Sequence, residues 1–452
     1  MCVFFAMAYV LEPADFGTMA ILLAWVAFGT LLVDAGFGAA VVQRNELTDE
    51  HLTSAFASNV VIAFVSFMAI WSLAPAISRA YAEPAMLDLL RVLALAILLS
   101  STVSTKVSLA QREMRFRQLA IRDSSAVVIG GVAGIACALA GWGIWSLVVQ
   151  TLSGAAISTV VTWRIISWRP HRRDLSLKAV RDMSGYSGRM LLFGLLKIAT
   201  QNVDVMVIGY TMGVAMAGLY SLASKMIVTP MGAVRAALGA YFFPAFSRLQ
   251  DNRDILATEY ERALKLVGYG CTPFLLIFYF AVDQFVAYAL PAKWIDTVPV
   301  AKALTFVALF QGFIAVSGEL MKATGRAGIL IWWAAGLSVS TAAAIIVGSH
   351  WGLVGIAAGI AVVHAVGLIV CLSIGVWLTA PTNRARLFGA ALGPVSMFLC
   401  VVAAGEFLAR AEFDGWFCPW VRLIVIFALV GVVMATFRRQ VSGWSELVRT
   451  GR

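Results

Sequence analysis

Among the ionisable residues in runs of this chain that are otherwise apolar enough to cross a bilayer, seven could carry chemistry. Arg189, Lys197 and Asp204 fall in 184–209, Lys225 and Arg235 in 214–240, Asp34 in 17–42, and Glu319 in 299–321. A charge at mid-membrane is expensive, so it usually faces a cavity or a partner. At about 100° per residue, Arg189, Lys197 and Asp204 lie at roughly 0°, 80° and 60° around their helix and share one face. Lys225 and Arg235 are about 80° apart by the same geometry, and Pro230 is placed to kink the helix between them. Arg189, Lys197, Lys225 and Arg235 together suit an anion such as phosphate: arginine offers a planar fork of donors and lysine a point charge. The competing reading is structural, with Arg189 snorkelling from near a helix end. Asp34, Asp204 and Glu319 are the candidates for gating or for coupling to H+ or Na+, because buried carboxylates titrate with such ions. Asp204 equally suits neutralising Lys197 on its own face.

The elements that carry these residues are membrane spans. Hydrophobic residues are 61% of the 452 and charged residues 13%, against roughly half and a quarter in soluble domains. About 20 apolar residues cross a bilayer. Spans are expected at 1–11 (partial), 17–42, 53–78, 86–109, 120–140, 143–166, 184–209, 214–240, 263–290, 299–321, 328–348, 352–379, 387–408 and 417–437. The fold class is therefore all-α, a polytopic membrane protein of about 14 helices. Continuous apolar runs exclude a barrel, whose strands would alternate. The opening MCVFFAMAYV has no basic stretch and is too short to span; it reads as the second half of a helix rather than as a signal peptide.

Alternate loops carry 23 Lys and Arg against 4. The basic side is expected to be cytoplasmic, with the C-terminus on it. This distribution accounts for the net charge of +10 without nucleic acid. Trp142, Trp163, Trp168, Trp351, Trp416 and Trp420 sit near span ends, where tryptophan anchors at the interface. The six cysteines and four histidines are scattered singly, so no metal or disulfide framework is expected. No phosphate-cradling glycine loop is present, which argues against direct ATP use. No loop is long enough for a soluble catalytic domain, so the chain is not expected to be an enzyme and no cofactor is expected.

An internal repeat runs through the chain. At an offset of 201, Tyr9 falls on Tyr210, Gly17 on Gly218 and Asp34 on Arg235. Further on, Trp142-Gly143 falls on Trp351-Gly352, and Gln111–Arg115 corresponds to Lys322–Arg326. Two parallel six-helix units follow, 1–166 and 184–379, joined by a basic linker at 167–183, with two further helices in 387–437. Substrate in such transporters lies between the halves. Asp34 and Arg235, as equivalent positions, are candidates for an ion pair that closes the cytoplasmic side; two separate contacts within each half are the alternative.

The stretches LEPADFGTMAILLAWVAFGTLLVDAGFGAAVVQR, LAQREMRFRQLA, GWGIWSLVVQ and GLYSLASKMIVTPMGAVRAALGAYFFPAFSRLQDN resemble the polysaccharide transporter (Wzx-type) family of lipid-linked oligosaccharide flippases, within the multidrug/oligosaccharidyl-lipid/polysaccharide exporter superfamily. The resemblance implies two six-helix lobes around a central cavity. It implies export of undecaprenyl-diphosphate-linked oligosaccharide across the bacterial inner membrane, with membrane lipids, the polysaccharide polymerase and the export machinery as partners. An ion-coupled multidrug antiporter of the same superfamily, or a scaffold or enzyme of polysaccharide assembly, is the alternative. A cationic wall argues against a cationic drug, since like charges repel.

Overall fold

A computed structural model of the chain describes residues 2–43, 46–379, 384–410 and 431. Among these residues it forms fourteen α-helices and three short 3-10 turns. The helices are α1 (Cys2–Val10), α2 (Pro13–Gln43), α3 (Asp49–Ala80), α4 (Met86–Leu93), α5 (Leu95–Arg112), α6 (Phe116–Leu139) and α7 (Trp145–Ile165). They continue with α8 (Leu177–Met212), α9 (Val214–Leu249), α10 (Arg253–Ala289), α11 (Thr297–Ala323), α12 (Ala327–Gly348), α13 (Gly352–Leu378) and α14 (Arg384–Arg410). The expected helix at 417–437 lies outside the described residues but for position 431. The span expected at 86–109 is two helices that meet at Ala94, and together they are long and apolar enough to cross a membrane. The protein is an all-α, multi-pass membrane protein.

Local signals start these helices where backbone N–H groups would be orphaned. Thr48 and His51 form a reciprocal cap on α3. The Asn252 side chain accepts from the Ile255 N–H at the head of α10, 3.2 Å away. Many large apolar side chains point outward, such as Val127, Val132, Trp332 and Val362, each more than 60% exposed. In a soluble protein that surface would be costly; in lipid it is the solvent-facing surface.

Packing divides the chain into two compact units, 1–221 and 222–452, with the boundary inside α9. In the first, α2 is central and lies against α3, α5 and α8, while α6 and α7 pair with each other. Ile21, Leu22, Val33 and Val41 of α2 are fully buried. Two ties hold α8 in this unit: the Tyr81 hydroxyl donates to the Met206 carbonyl at 3.2 Å, and the Ser54 hydroxyl donates to the Ser176 carbonyl at 3.2 Å. In the second unit α11 is central, against α10 and α13, and α14 packs on α10. The packing boundary falls inside α9, whereas the second half of the expected repeat would begin at 184, within α8.

Several positions that the expected repeat would pair share local geometry. The turn after α5 places Met114 at φ +57° and the turn after α11 places Gly325 at φ +73°. The N–H of the following residue, Arg115 or Arg326, donates to the carbonyl five residues back, at 2.8 and 3.0 Å. This is the Schellman-type end of a helix. Tyr9 and Tyr210 are 67% and 66% exposed. Gly17 and Gly218 meet each other: a Cβ on Gly17 would overlap the Val214 carbonyl, and one on Gly218 would overlap the Pro13 carbonyl. Only glycine lets the two helix starts approach so closely.

Candidate functional site

The second unit contains a cavity of about 360 Å³ between α9 and α11. Arg235, Ala236, Gly239 and Phe243 line it from α9, and Glu319 and Lys322 from α11. Residues four apart on a helix share a face, so Arg235, Gly239 and Phe243 stack along one wall. Gly239 leaves room for a carboxylate, since a Cβ there would lie 2.9 Å from Glu319 Oε1. Glu319 is paired with Lys322, with Nζ and Oε2 2.6 Å apart.

Arg235 is oriented by a chain of neutral groups. Its guanidinium donates to Gln311 Oε1. Gln311 Nε2 lies 3.2 Å from His364 Nε2, and His364 Nδ1 lies 2.9 Å from the Ile360 carbonyl. One hydrogen arrangement satisfies all three bonds. His364 donates from Nδ1 to the carbonyl and accepts at Nε2 from the glutamine amide, whose oxygen is left for the arginine. An amide partner fixes a guanidinium without cancelling its charge. The one carboxylate on the cavity wall is already held by Lys322, so the cavity keeps a net positive charge.

The structure brings Arg235 and Glu319 together at this cavity. Lys225 lies on α9 in the same unit, ten residues earlier, and is not among the residues lining it. Asp204, in the first unit, accepts from the Tyr220 hydroxyl at 2.6 Å and from the Val205 N–H at 2.9 Å. Asp34 lies in α2, and Arg189 and Lys197 lie in α8; their side chains are outside the described residues.

Gln311 and His364 are functional candidates that a search for charge inside the spans passes over. Their signal was an isolated polar residue in an apolar run, as in ALFQGF and AVVHAV. Two other charged residues have structural partners. Lys106 is fully buried; its Nζ donates to the carbonyls of Ile166 and Trp168 at 2.8 and 2.6 Å and sits 4.2 Å from the Trp163 ring centre. It ties the exit of α7 to α5. Lys302 joins α10, α11 and α14, lying 2.8 Å from Asp283 and 3.6 Å from Glu406.

Residues 6–299 match the family described as polysaccharide biosynthesis protein. The chain is 23% identical over 403 residues to the teichuronic acid biosynthesis protein TuaB of Bacillus subtilis (strain 168), covering 86% of this chain and 81% of that one. It is 26% identical over 367 residues to the succinoglycan biosynthesis transport protein ExoT of Rhizobium meliloti (strain 1021), covering 80% and 74%. Its fold is similar to that of the lipid II flippase MurJ in an inward closed conformation, with a TM-score of 0.74 at 13% identity, covering 97% of this chain and 96% of that one.

Proposed function

Because the chain belongs to the polysaccharide biosynthesis protein family, we propose that it is a flippase for undecaprenyl-diphosphate-linked oligosaccharide. It moves these units across the bacterial inner membrane by alternating access, for exopolysaccharide, capsule or O-antigen synthesis. The C-terminus is cytoplasmic, and the polymerase and export machinery take the product on the far side. Two parallel six-helix repeats, 1–166 and 184–379, carry the movement.

The observation that carries this reading is Arg235: a guanidinium held at a cavity wall by a neutral amide, with its charge uncancelled. Moving a diphosphate through a low-dielectric region requires donors and positive charge in place of its water. Arg235 supplies a fork, and Arg189, Lys197 and Lys225 are further candidate cations for the diphosphate. The polyprenyl tail needs no such help and stays in lipid. Glu319, Asp204 and Asp34 are the carboxylates on which gating or ion coupling rests. Glu319 is best placed, because it shares the cavity with Arg235 and its partner Lys322 can be drawn off by phosphate.

The test is complementation of a strain lacking its own flippase, scored by surface polysaccharide at matched membrane abundance. Rescue by wild type, with loss in Arg235→Ala and Lys225→Ala, is expected. Rescue by Arg235→Ala equal to wild type would remove this cavity from the account of diphosphate binding.

A further inference from the structure

The first unit holds a second cavity, of different chemistry. Its volume is about 510 Å³, within the roughly 300–1,000 Å³ typical of small-molecule sites. Ser100, Ser104 and Ser108 line it from α5; at a spacing of four residues they share one face of that helix. Ser158 and Thr159 line it from α7, and Gln111 and Arg122 line it near the α5–α6 turn. Val42, Val103 and Val107 supply apolar wall between them.

The polar groups here are available rather than spent. Ser104 and Ser108 are each 7% exposed, and neither hydroxyl has a hydrogen-bond partner among the described residues. Ser108 Oγ is directed at Gly38, where an added Cβ would sit 2.7 Å from it. Ser100 and Thr159 donate to the carbonyls of Ile97 and Ala155, at 2.8 and 2.9 Å, which leaves their lone pairs as acceptors. Arg122 is held by its neighbour Asp123, at 2.6 Å, so its charge is largely cancelled. The cavity is thus a largely apolar wall carrying a row of hydroxyls, and close to neutral.

That combination selects among ligands. A diphosphate calls for concentrated positive charge, and a prenyl tail for continuous apolar wall. A sugar calls for closely spaced groups that both donate and accept, with apolar surface for its C–H faces. Serine and threonine hydroxyls and a glutamine amide do both. We propose that this cavity binds a pyranose residue of the lipid-linked oligosaccharide and sets the preference for the sugar. The proposal rests on the flippase reading and adds to it a sugar site in the first unit.

The test compares binding of two kinds of lipid to the full-length protein in nanodiscs, by native mass spectrometry. One is bare undecaprenyl diphosphate; the other is undecaprenyl diphosphate carrying glucose, galactose or N-acetylglucosamine. Wild type is expected to bind at least one glycosylated lipid about tenfold or more tightly than the bare lipid. The Ser104→Ala/Ser108→Ala/Ser158→Ala variant is expected to lose that advantage while binding the bare lipid as before. Ser104→Leu, which fills the cavity instead of stripping it, is expected to do the same, and melting curves check that both variants fold. Equal binding of bare and glycosylated lipids by wild type, or an advantage kept by both variants, would overturn the sugar site and leave the flippase reading standing. Failure of wild type to bind any of the lipids would overturn the flippase reading and the sugar site with it.

Discussion

The two units each enclose a cavity beside their central helix, and the two cavities are built from different chemistry. In the first unit, α2 and its neighbours enclose hydroxyls and an amide, with the one arginine held by Asp123. In the second, α9 and α11 enclose an arginine fixed by an amide and a Glu319–Lys322 pair. The turns after α5 and α11 share one hydrogen-bond pattern, while the two cavities differ. The contrast matches a substrate with two unlike polar parts, a neutral polyol and a dianionic linker, each needing its own replacement for water.

The largest effect should come at the close approach of Gly17 and Gly218. Gly17→Val or Gly218→Val would drive a side chain into a backbone carbonyl of the facing helix. Each is expected to abolish folded protein, read as loss of the monodisperse peak after detergent extraction. A normal peak from either would mean that the crossing yields easily.

Next in size is Arg235→Ala. Hydrogen bonds to charged groups contribute about 1.5–3 kcal/mol each, so transport should fall by roughly 10- to 100-fold with melting temperature little changed. The serine triple variant in the first unit should affect only glycosylated substrates. If both variants impaired bare and glycosylated lipids alike, the division of labour between the cavities would collapse.

Lys106→Ala tests the opposite kind of buried charge. It removes two charge-assisted bonds to the carbonyls of Ile166 and Trp168 and is expected to cost about 3 kcal/mol of stability. The readout is a lower melting temperature with normal transport per folded molecule. A transport defect without a melting shift would make Lys106 part of the substrate path.

Smaller still is Gln311→Leu. The arginine keeps its charge but loses its anchor, so transport is expected to fall a few-fold, less than in Arg235→Ala. A loss equal to that of Arg235→Ala would mean that the amide itself meets the substrate.

Much of this architecture is legible in the sequence because bilayer physics is strict. Apolar runs of span length had to be helices, and loops rich in arginine marked their ends. The pairing of Gln111–Arg115 with Lys322–Arg326 found two turns of the same hydrogen-bond pattern. The break at Ala94 was not legible, since neither glycine nor proline marks it. Gln311 and His364 escaped a search for charge because they are neutral, yet a buried arginine is as readily oriented by an amide as by a carboxylate. The role of Lys106 depends on carbonyls some 60 residues away, which no local pattern specifies. The hydroxyl cavity was invisible for a similar reason: serines within an apolar helix are common, and only the fold shows which of them share a space.

The most direct measurement is flipping itself. Purified protein would be reconstituted into proteoliposomes loaded on one leaflet with undecaprenyl-diphosphate-linked sugar, and arrival on the other leaflet followed by lectin accessibility. Wild type is expected to equilibrate the lipid between leaflets, and Arg235→Ala at equal reconstitution to leave it near the protein-free rate. Wild-type proteoliposomes no faster than protein-free ones, or Arg235→Ala as fast as wild type, would contradict a flippase that grips the diphosphate through Arg235.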